Sequence, residues 1–180
     1  MTTMRKLPIG IHSFENIRNE NYLYVDKTAL IYQLVTKGKP YFLSRPRRFG
    51  KSLLISTLEA YFQGKKELFK GLAIDQLEQD WNVYPVLYFS DLNQLNDISL
   101  DYDYATLCGI THAELVDNLT PELEQLGQMQ SLSREGTVET MVRQYDGYHF
   151  HPSREGVFNP FSALSALRKR EFGDYWFQTG

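Results

Sequence analysis

The eight residues 45–52, Arg-Pro-Arg-Arg-Phe-Gly-Lys-Ser, constrain this chain more than any other segment because of what flanks them. The apolar stretch Tyr41 to Leu43 precedes them, and apolar residues at helical spacing follow. An extended segment that turns through a basic Gly-Lys-Ser loop into a helix is the layout of a phosphate-binding loop. Amide groups at a helix start have no intrahelical partner and carry the positive end of the helix dipole, so they attract phosphate. The sequence therefore predicts an α/β fold with an anion site at the start of this helix.

Individual residues of this loop have distinct chemical roles. Lys51 supplies a mobile positive charge for the outer phosphates of a nucleotide, and the hydroxyl of Ser52 can ligate Mg²⁺. Two arginines add more positive charge than such loops usually carry. The predicted nucleotide-binding residues are Arg47, Arg48, Phe49, Gly50, Lys51 and Ser52, and Ser52 is also a predicted Mg²⁺ ligand.

The first position of the loop departs from the full G-x-x-x-x-G-K-[ST] pattern, since Arg45 stands where glycine is expected. Arginine adopts positive φ less readily than glycine, so the loop must close along a different backbone path. Pro46 fixes its own φ and favours an extended conformation at Arg45.

Length and composition place the chain among ordinary globular proteins. It has 180 residues, of which 42% are hydrophobic and 23% charged, so we expect one domain. No apolar run approaches the ~20 residues of a membrane span, so we expect no membrane segment and a cytoplasmic location. Cys108 is the only cysteine, which excludes an internal disulfide and a cysteine-based zinc site.

Charge is distributed unevenly along the chain. Residues 1–70 carry thirteen Lys or Arg against five Asp or Glu, whereas residues 71–133 carry eleven acidic residues and no Lys or Arg. The basic third could therefore face an anion while the acidic third faces solvent, or the two thirds could attract each other.

Helix and strand signals predict a βαβ unit around the loop. Asp26 is a predicted N-cap for a helix over 27–35. Residues 41–43 are a predicted strand, the helix after the loop ends at Gly64, and the apolar run 84–89 is a predicted second, buried strand. We predict a nucleotide-binding core over residues 1–90.

The remainder, residues 91–180, is predicted to be a helical C-terminal part of the same domain. Thr111 to Glu114 matches a capping box, and Thr120-Pro121 and Asn159-Pro160 each place a capping side chain before a proline. The Asp-Gly pair within residues 145–150 predicts a hairpin.

Five segments together resemble the AAA-ATPase-like domain of bacterial proteins that usually also carry a C-terminal nuclease domain of the PD-(D/E)XK type. They are residues 7–10, 22–28, 42–52, 145–148 and 158–160. The resemblance implies a P-loop NTPase-like fold, ATP and Mg²⁺ as cofactors, and Arg45 as a usual residue at its position. It also implies a nucleic acid or a nuclease as a partner.

The chain departs from this family pattern in two places. The resemblance implies that the long middle stretch with the Walker B strand and the sensor strand is missing after residue 87, and we expect no nuclease domain within these 180 residues. A strand-end carboxylate is needed to hold Mg²⁺ for hydrolysis, so we expect ATP binding with deficient hydrolysis. Asp91 ends an apolar run and is a candidate metal ligand, although Asp also commonly caps a turn or helix.

Other metal-site candidates are weaker. His149 and His151 share one face if their segment is a strand, but no carboxylate completes a site, so exposed imidazoles are favoured. The acidic residues Asp97, Asp101, Asp103 and Glu114 are interpreted as solvated surface, since no nuclease-type lysine accompanies them.

Two other functions compete with ATP binding. The basic residues from Arg45 to Lys51 could contact a nucleic-acid backbone, although the overall pI of about 5.8 disfavours this. Alternatively, the chain is a non-catalytic remnant whose exposed strand edges pair with a second copy or another partner.

Overall fold

The structure, a computed structural model, describes residues 6–86 and 96–175. Within these ranges the chain forms seven α-helices and four two-residue strands. The helices are α1 (Phe14–Asn19), α2 (Thr28–Thr36), α3 (Lys51–Phe62), α4 (Ala73–Leu77), α5 (His112–Gln130), α6 (Arg134–Tyr145) and α7 (Pro160–Lys169). The strands are β1 (Tyr41–Phe42), β2 (Asn96–Asp97), β3 (Ile110–Thr111) and β4 (Val157–Phe158), and short 3₁₀ helices span Lys66–Phe69 and Tyr102–Tyr104.

The four strands form two separate pairs. β1 pairs in parallel with β2, so α3 lies between two parallel strands in the sequence, but β2 is not the segment predicted as the second strand of the βαβ unit. β3 pairs with β4 in the antiparallel direction. The mixed α/β class is confirmed, but the part of the chain that is described contains no larger parallel sheet of the P-loop kind.

The predicted second strand is wrong where it can be tested. Residues 84–86 have no regular secondary structure, and Tyr84 is 53% exposed. The backbone N–H of Tyr84 donates to the carbonyl of Phe62 at 2.7 Å, and the two rings contact edge to face. Tyr84 thus packs on the end of α3 instead of pairing with a strand. The other residues of the predicted strand, 87–89, lie outside the described ranges.

The N-cap of α2 is Lys27 and not the predicted Asp26, but the Asp26 carboxylate accepts hydrogen bonds at the starts of two helices. Its Oδ1 accepts hydrogen bonds from the backbone N–H and the hydroxyl of Thr28, at 2.8 and 2.6 Å. Its Oδ2 accepts from the backbone N–H of Ala73, the first residue of α4, at 2.7 Å. The helix α2 begins at Thr28, one residue later than predicted.

Two of the three predicted caps downstream are confirmed. Thr111 and Glu114 form a reciprocal capping box at the start of α5, and the Asn159 side chain accepts from the backbone N–H of Ser162 in α7. The helix start predicted at Thr120 coincides with a break in α5, because Leu119 has a non-helical φ of −122° and ψ of 19° and two helical segments meet there. The Thr120 hydroxyl donates to the carbonyl of Val116 and accepts from the Arg134 guanidinium, so neither of these two hydrogen bonds is the predicted cap.

The predicted hairpin at Asp146-Gly147 is also displaced. Tyr148 forms an antiparallel bridge with Val157, whose backbone N–H donates to the Tyr148 carbonyl at 3.0 Å. The chain reversal therefore spans residues 149–156.

Buried side chains form two hydrophobic cores that meet at β4. The helical core combines α5, α6 and α7, and the loop-side core surrounds α2 and α3. Val157 belongs to the loop-side core and its neighbour Phe158 to the helical core, as expected when successive strand residues point to opposite faces. The start of α7 is thereby held close to the loop before α3.

Ion pairs connect the basic and acidic thirds of the chain. Lys27 contacts both carboxylate oxygens of Glu114 at 2.6 Å, and Lys37 lies 3.3 Å from Asp103. Mutual attraction, one of the two alternatives left open by the sequence, therefore operates at these two places. None of the helices described is long and apolar enough to cross a membrane.

Candidate phosphate-binding site

The loop before α3 turns through two left-handed residues. Gly50, the N-cap of α3, has φ 87° and ψ 14°, and Arg48 has φ 70°. Glycine adopts this conformation without steric cost, whereas a residue with a side chain rarely does. No side chain caps the first turn of α3, so its N–H groups lack the partner that Ser, Thr or Asp provides at other helix starts.

Lys51 closes the loop through main-chain carbonyls. Its ammonium donates to the carbonyl of Arg45 at 2.5 Å and to that of Pro46 at 3.1 Å. An ammonium group has three donors, so one remains for a ligand in front of the loop. Lys51 bonds only to main-chain carbonyls here, which every residue has. Arginine can therefore stand at position 45, where the full pattern has glycine, without loss of this contact.

Arg45 is buried inside the protein and does not face the site. It is 5% exposed, and its guanidinium donates to the carbonyls of Ser44, Ser99 and Tyr104 at 2.9, 2.5 and 3.0 Å. Its guanidinium carbon also lies 3.9 Å from the ring centroid of Phe150. Burial lowers the pKa of Arg45. The nucleic-acid hypothesis therefore loses Arg45, which is a structural residue that cannot contact a phosphate backbone.

A cavity of about 400 Å³ opens in front of the loop. Its walls come from the loop, the turn at residues 8–12 and the first residues of α7. The loop contributes the three cations Arg47, Arg48 and Lys51, together with the exposed hydroxyl of Ser52. No carboxylate occurs among the described residues that line the cavity, so its electrostatic potential favours an anion.

Arg48 lies on the wall of this cavity against α7. Its guanidinium carbon is 4.2 Å from the ring centroid of Phe161, and one of its terminal nitrogens is buried without a hydrogen-bond partner in the described structure. Sequence reasoning missed Phe161 because its proximity to the loop depends on long-range packing. The Asn159-Pro160 capping signal predicted where α7 begins, but it did not predict that α7 packs beside the loop.

A smaller apolar pocket of about 120 Å³ adjoins the cavity. Both share Pro8, Gly50 and Pro160 as wall residues. The pocket is also lined by Lys27 and Cys108. Burial raises the pKa of the Cys108 thiol to about 11, so this side chain is neutral near pH 7.

The predicted residue Phe49 contributes to the loop-side core. Its side chain is 1% exposed and packs edge to face against Tyr148 and Phe150. Only its backbone can therefore face a ligand, whereas its ring anchors the loop to the protein interior.

The candidate metal ligands are not brought together in the described residues. No group of three or more His, Cys, Asp or Glu side chains is close enough there to hold a metal ion. Asp97, Asp101 and Asp103 accept hydrogen bonds or pair with Lys37, in keeping with their interpretation as surface residues. Asp91 lies outside the described ranges.

Comparison with known proteins assigns the class of the chain. The family described as "Predicted AAA-ATPase" matches residues 8–148, which is most of the sequence, so the chain belongs to this family. The match includes the loop, α3 and the kinked helix α5, and ends just before β4 and α7.

A similar individual protein comes from Azotobacter chroococcum mcd 1 and is described as the uncharacterised protein in the vnfD 5′ region. It is 27% identical over 293 residues, covering 98% of this chain and 54% of the relative, so the chain spans about half the relative's length. Since 98% of this chain is about 176 residues, at least about 117 positions of the matched span have no counterpart here. No solved structure matches the chain.

Proposed function

We propose that this chain binds ATP, with the phosphates in the cavity in front of α3. The observation that carries the proposal is the convergence of Arg47, Arg48 and Lys51 on one cavity at an uncapped helix start. Helix amides and the helix dipole favour a phosphate at such a position, and charge-assisted hydrogen bonds strengthen its binding. Family membership supports the choice of a nucleotide over other anions.

The adjoining apolar pocket is the proposed position of the nucleoside. Its walls are mainly apolar, and it shares Gly50 with the phosphate cavity. A nucleotide needs such an arrangement because its phosphates are charged whereas its base is largely apolar.

Ser52 fits a Mg²⁺ ion that arrives with the nucleotide. Its hydroxyl is exposed at the cavity, and Mg²⁺ commonly keeps waters and substrate phosphates as most of its ligands. When bound, the ion would neutralise part of the phosphate charge. The described cavity residues provide no carboxylate for a site formed by protein alone.

Deficient hydrolysis is part of the proposal. P-loop hydrolysis needs a strand-end carboxylate for the metal and a group that positions the attacking water. The relative's matched span contains at least about 117 positions that this chain lacks, which supports the loss of the Walker B segment. Phosphate release by the wild type should therefore be no faster than that of a Lys51→Ala variant.

Isothermal titration with ATP and Mg²⁺ tests the binding site. Lys51→Ala removes one charge-assisted contact, worth about 1.5–3 kcal/mol, so affinity should fall by roughly one to two orders of magnitude. Lys66→Ala is the matched control, because Lys66 is exposed and lies outside the cavity. Equal affinities of the wild type and Lys51→Ala would remove the loop from ATP binding.

A further inference from the structure

Arg48 stacks on the ring of Phe161 in α7, and binding of a phosphate by the loop does not by itself need this contact. Its guanidinium carbon lies 4.2 Å from the centroid of the Phe161 ring, and both residues line the same cavity. One terminal nitrogen of Arg48 is buried and has no hydrogen-bond partner in the described structure. Because this nitrogen has almost no accessible surface, contact with an anion in the cavity falls to the other N–H donors of the guanidinium.

Stacking and phosphate binding use different parts of the guanidinium group. An aromatic ring contacts the flat face of the group, whereas the five N–H donors lie in its plane. The Phe161 ring can therefore hold Arg48 in one orientation while its donors stay available to an anion. Such preorganisation reduces the conformational entropy that a long side chain loses on binding.

The position of Phe161 is in turn fixed by the packing of α7. Asn159 caps this helix, and Ala163 and Leu167 are buried in the helical core. Phe161 itself is partly buried against that core. The helical core thereby determines where the ring meets Arg48.

We propose that Phe161 is a positioning residue for Arg48, so that triphosphate binding and docking of α7 favour each other. This inference rests on the proposed ATP site and adds a regulatory connection to it. Because coupling between two equilibria is reciprocal, a docked α7 raises ATP affinity and bound ATP stabilises the docked helix.

ATP titration of Phe161 variants tests this coupling. Phe161→Leu keeps an apolar side chain but removes the aromatic face, so ATP affinity should fall by about 2- to 30-fold. Phe161→Tyr keeps the face and should restore affinity to within about twofold of the wild type. In an Arg48→Ala background, Phe161→Leu should cause no further loss, because the side chain that it orients is gone.

Phe172→Leu is the matched control. Phe172 is partly buried against the helical core, where its ring stacks with Tyr145 at 6.5 Å, and it does not line the cavity. This substitution should leave ATP affinity unchanged even if it lowers stability. A similar loss in Phe172→Leu, a failed rescue by Phe161→Tyr, or an undiminished effect in the Arg48→Ala background would overturn the positioning role.

ATP binding by the wild type and by Phe161→Leu distinguishes an error in the coupling from an error in the proposed function. If the wild type binds ATP and Phe161→Leu binds it equally well, only the coupling is wrong. If the folded wild type binds no ATP, the proposed function is wrong and the coupling falls with it.

Discussion

At the scale of single residues, the basic run before α3 contains side chains with opposite roles. Arg47 is exposed, whereas Arg45 is buried among three carbonyl groups. The spacing of Gly50, Lys51 and Ser52 predicted the helix start correctly, because a turn through glycine into a helix is a local pattern. The burial of Arg45 could not be predicted, since two of its partners, Ser99 and Tyr104, are more than fifty residues away.

Replacing Arg45 with methionine should destabilise the fold. The change keeps a long side chain but leaves three carbonyls, one buried and two partly buried, without their donor, so we expect a loss of about 3 kcal/mol in unfolding free energy. Urea unfolding measures it. Arg47→Met, at an exposed position, should change stability by less than about 0.5 kcal/mol; equal effects of the two substitutions would contradict the structural role of Arg45.

The buried thiol of Cys108 should make stability fall in alkaline solution. Its pKa is raised to about 11 by burial, so the unfolded chain loses the thiol proton at lower pH than the folded chain. The stabilisation is complete below the ordinary thiol pKa and is lost as pH rises toward 11. The thiol pKa differs by about two between the unfolded and the folded chain, which corresponds to about 2–3 kcal/mol of unfolding free energy.

Comparing the wild type with Cys108→Ala between pH 8 and pH 11 isolates this effect. The unfolding free energy of the wild type should decrease by about 2–3 kcal/mol more than that of the variant. Parallel curves would show that the thiol titrates normally in the folded protein.

At the scale of elements, predictions based on local hydrogen bonds were the most reliable. The caps at Thr111 and Asn159 are confirmed because each forms within three residues of the helix start. Pro121 predicted a new helix, and a non-helical residue, Leu119, separates two segments of α5 just before it. Leu119 and Leu123, on either side of this break, are both buried in the helical core. The strand predicted at Tyr84 failed because an apolar run alone does not specify which surface covers it.

The contact between α5 and α6 should tolerate no side chain at Gly127. A Cβ built there would lie 2.5 Å from the Thr137 hydroxyl oxygen and 3.1 Å from the Leu132 carbonyl oxygen. Gly127→Ala should therefore cost about 1–3 kcal/mol despite the higher helix propensity of alanine. Thermal and urea unfolding provide the measurement.

Gly136→Ala is the matched control within α6. Its added Cβ would meet its nearest neighbour at 3.5 Å, an ordinary contact distance, so stability should stay equal or rise by up to about 1 kcal/mol. A Gly127→Ala protein as stable as Gly136→Ala would show that the two helices are not in close contact.

At the scale of the whole molecule, two cores share the strand β4. Val157 is 1% exposed and Phe158 is fully buried, each in a different core. The sequence identifies both residues as apolar, but their assignment to different cores follows from long-range pairing with β3. The position of Phe161 at the cavity also depends on long-range packing, so it could not be predicted from the sequence. The loop residues that line the cavity could be predicted, because they are neighbours in the sequence.

The shared strand should make the two cores unfold together. Trp81 packs against the loop-side core, whereas α5, α6 and α7 contain just over half of the α-helical residues described. In a Trp176→Phe variant, which leaves Trp81 as the only tryptophan, fluorescence and circular dichroism should give urea midpoints that agree within error. Two separated transitions would show that the cores are independent.

Arg45 also holds the chain beside the loop shortly after residues 87–95. Its guanidinium joins the start of the loop to the carbonyls of Ser99 and Tyr104, just beyond residues 87–95. Extra sequence inserted in that stretch would return to the fold beside the loop, whatever its length. An insertion in that stretch would therefore add residues beside the cavity without rebuilding either core.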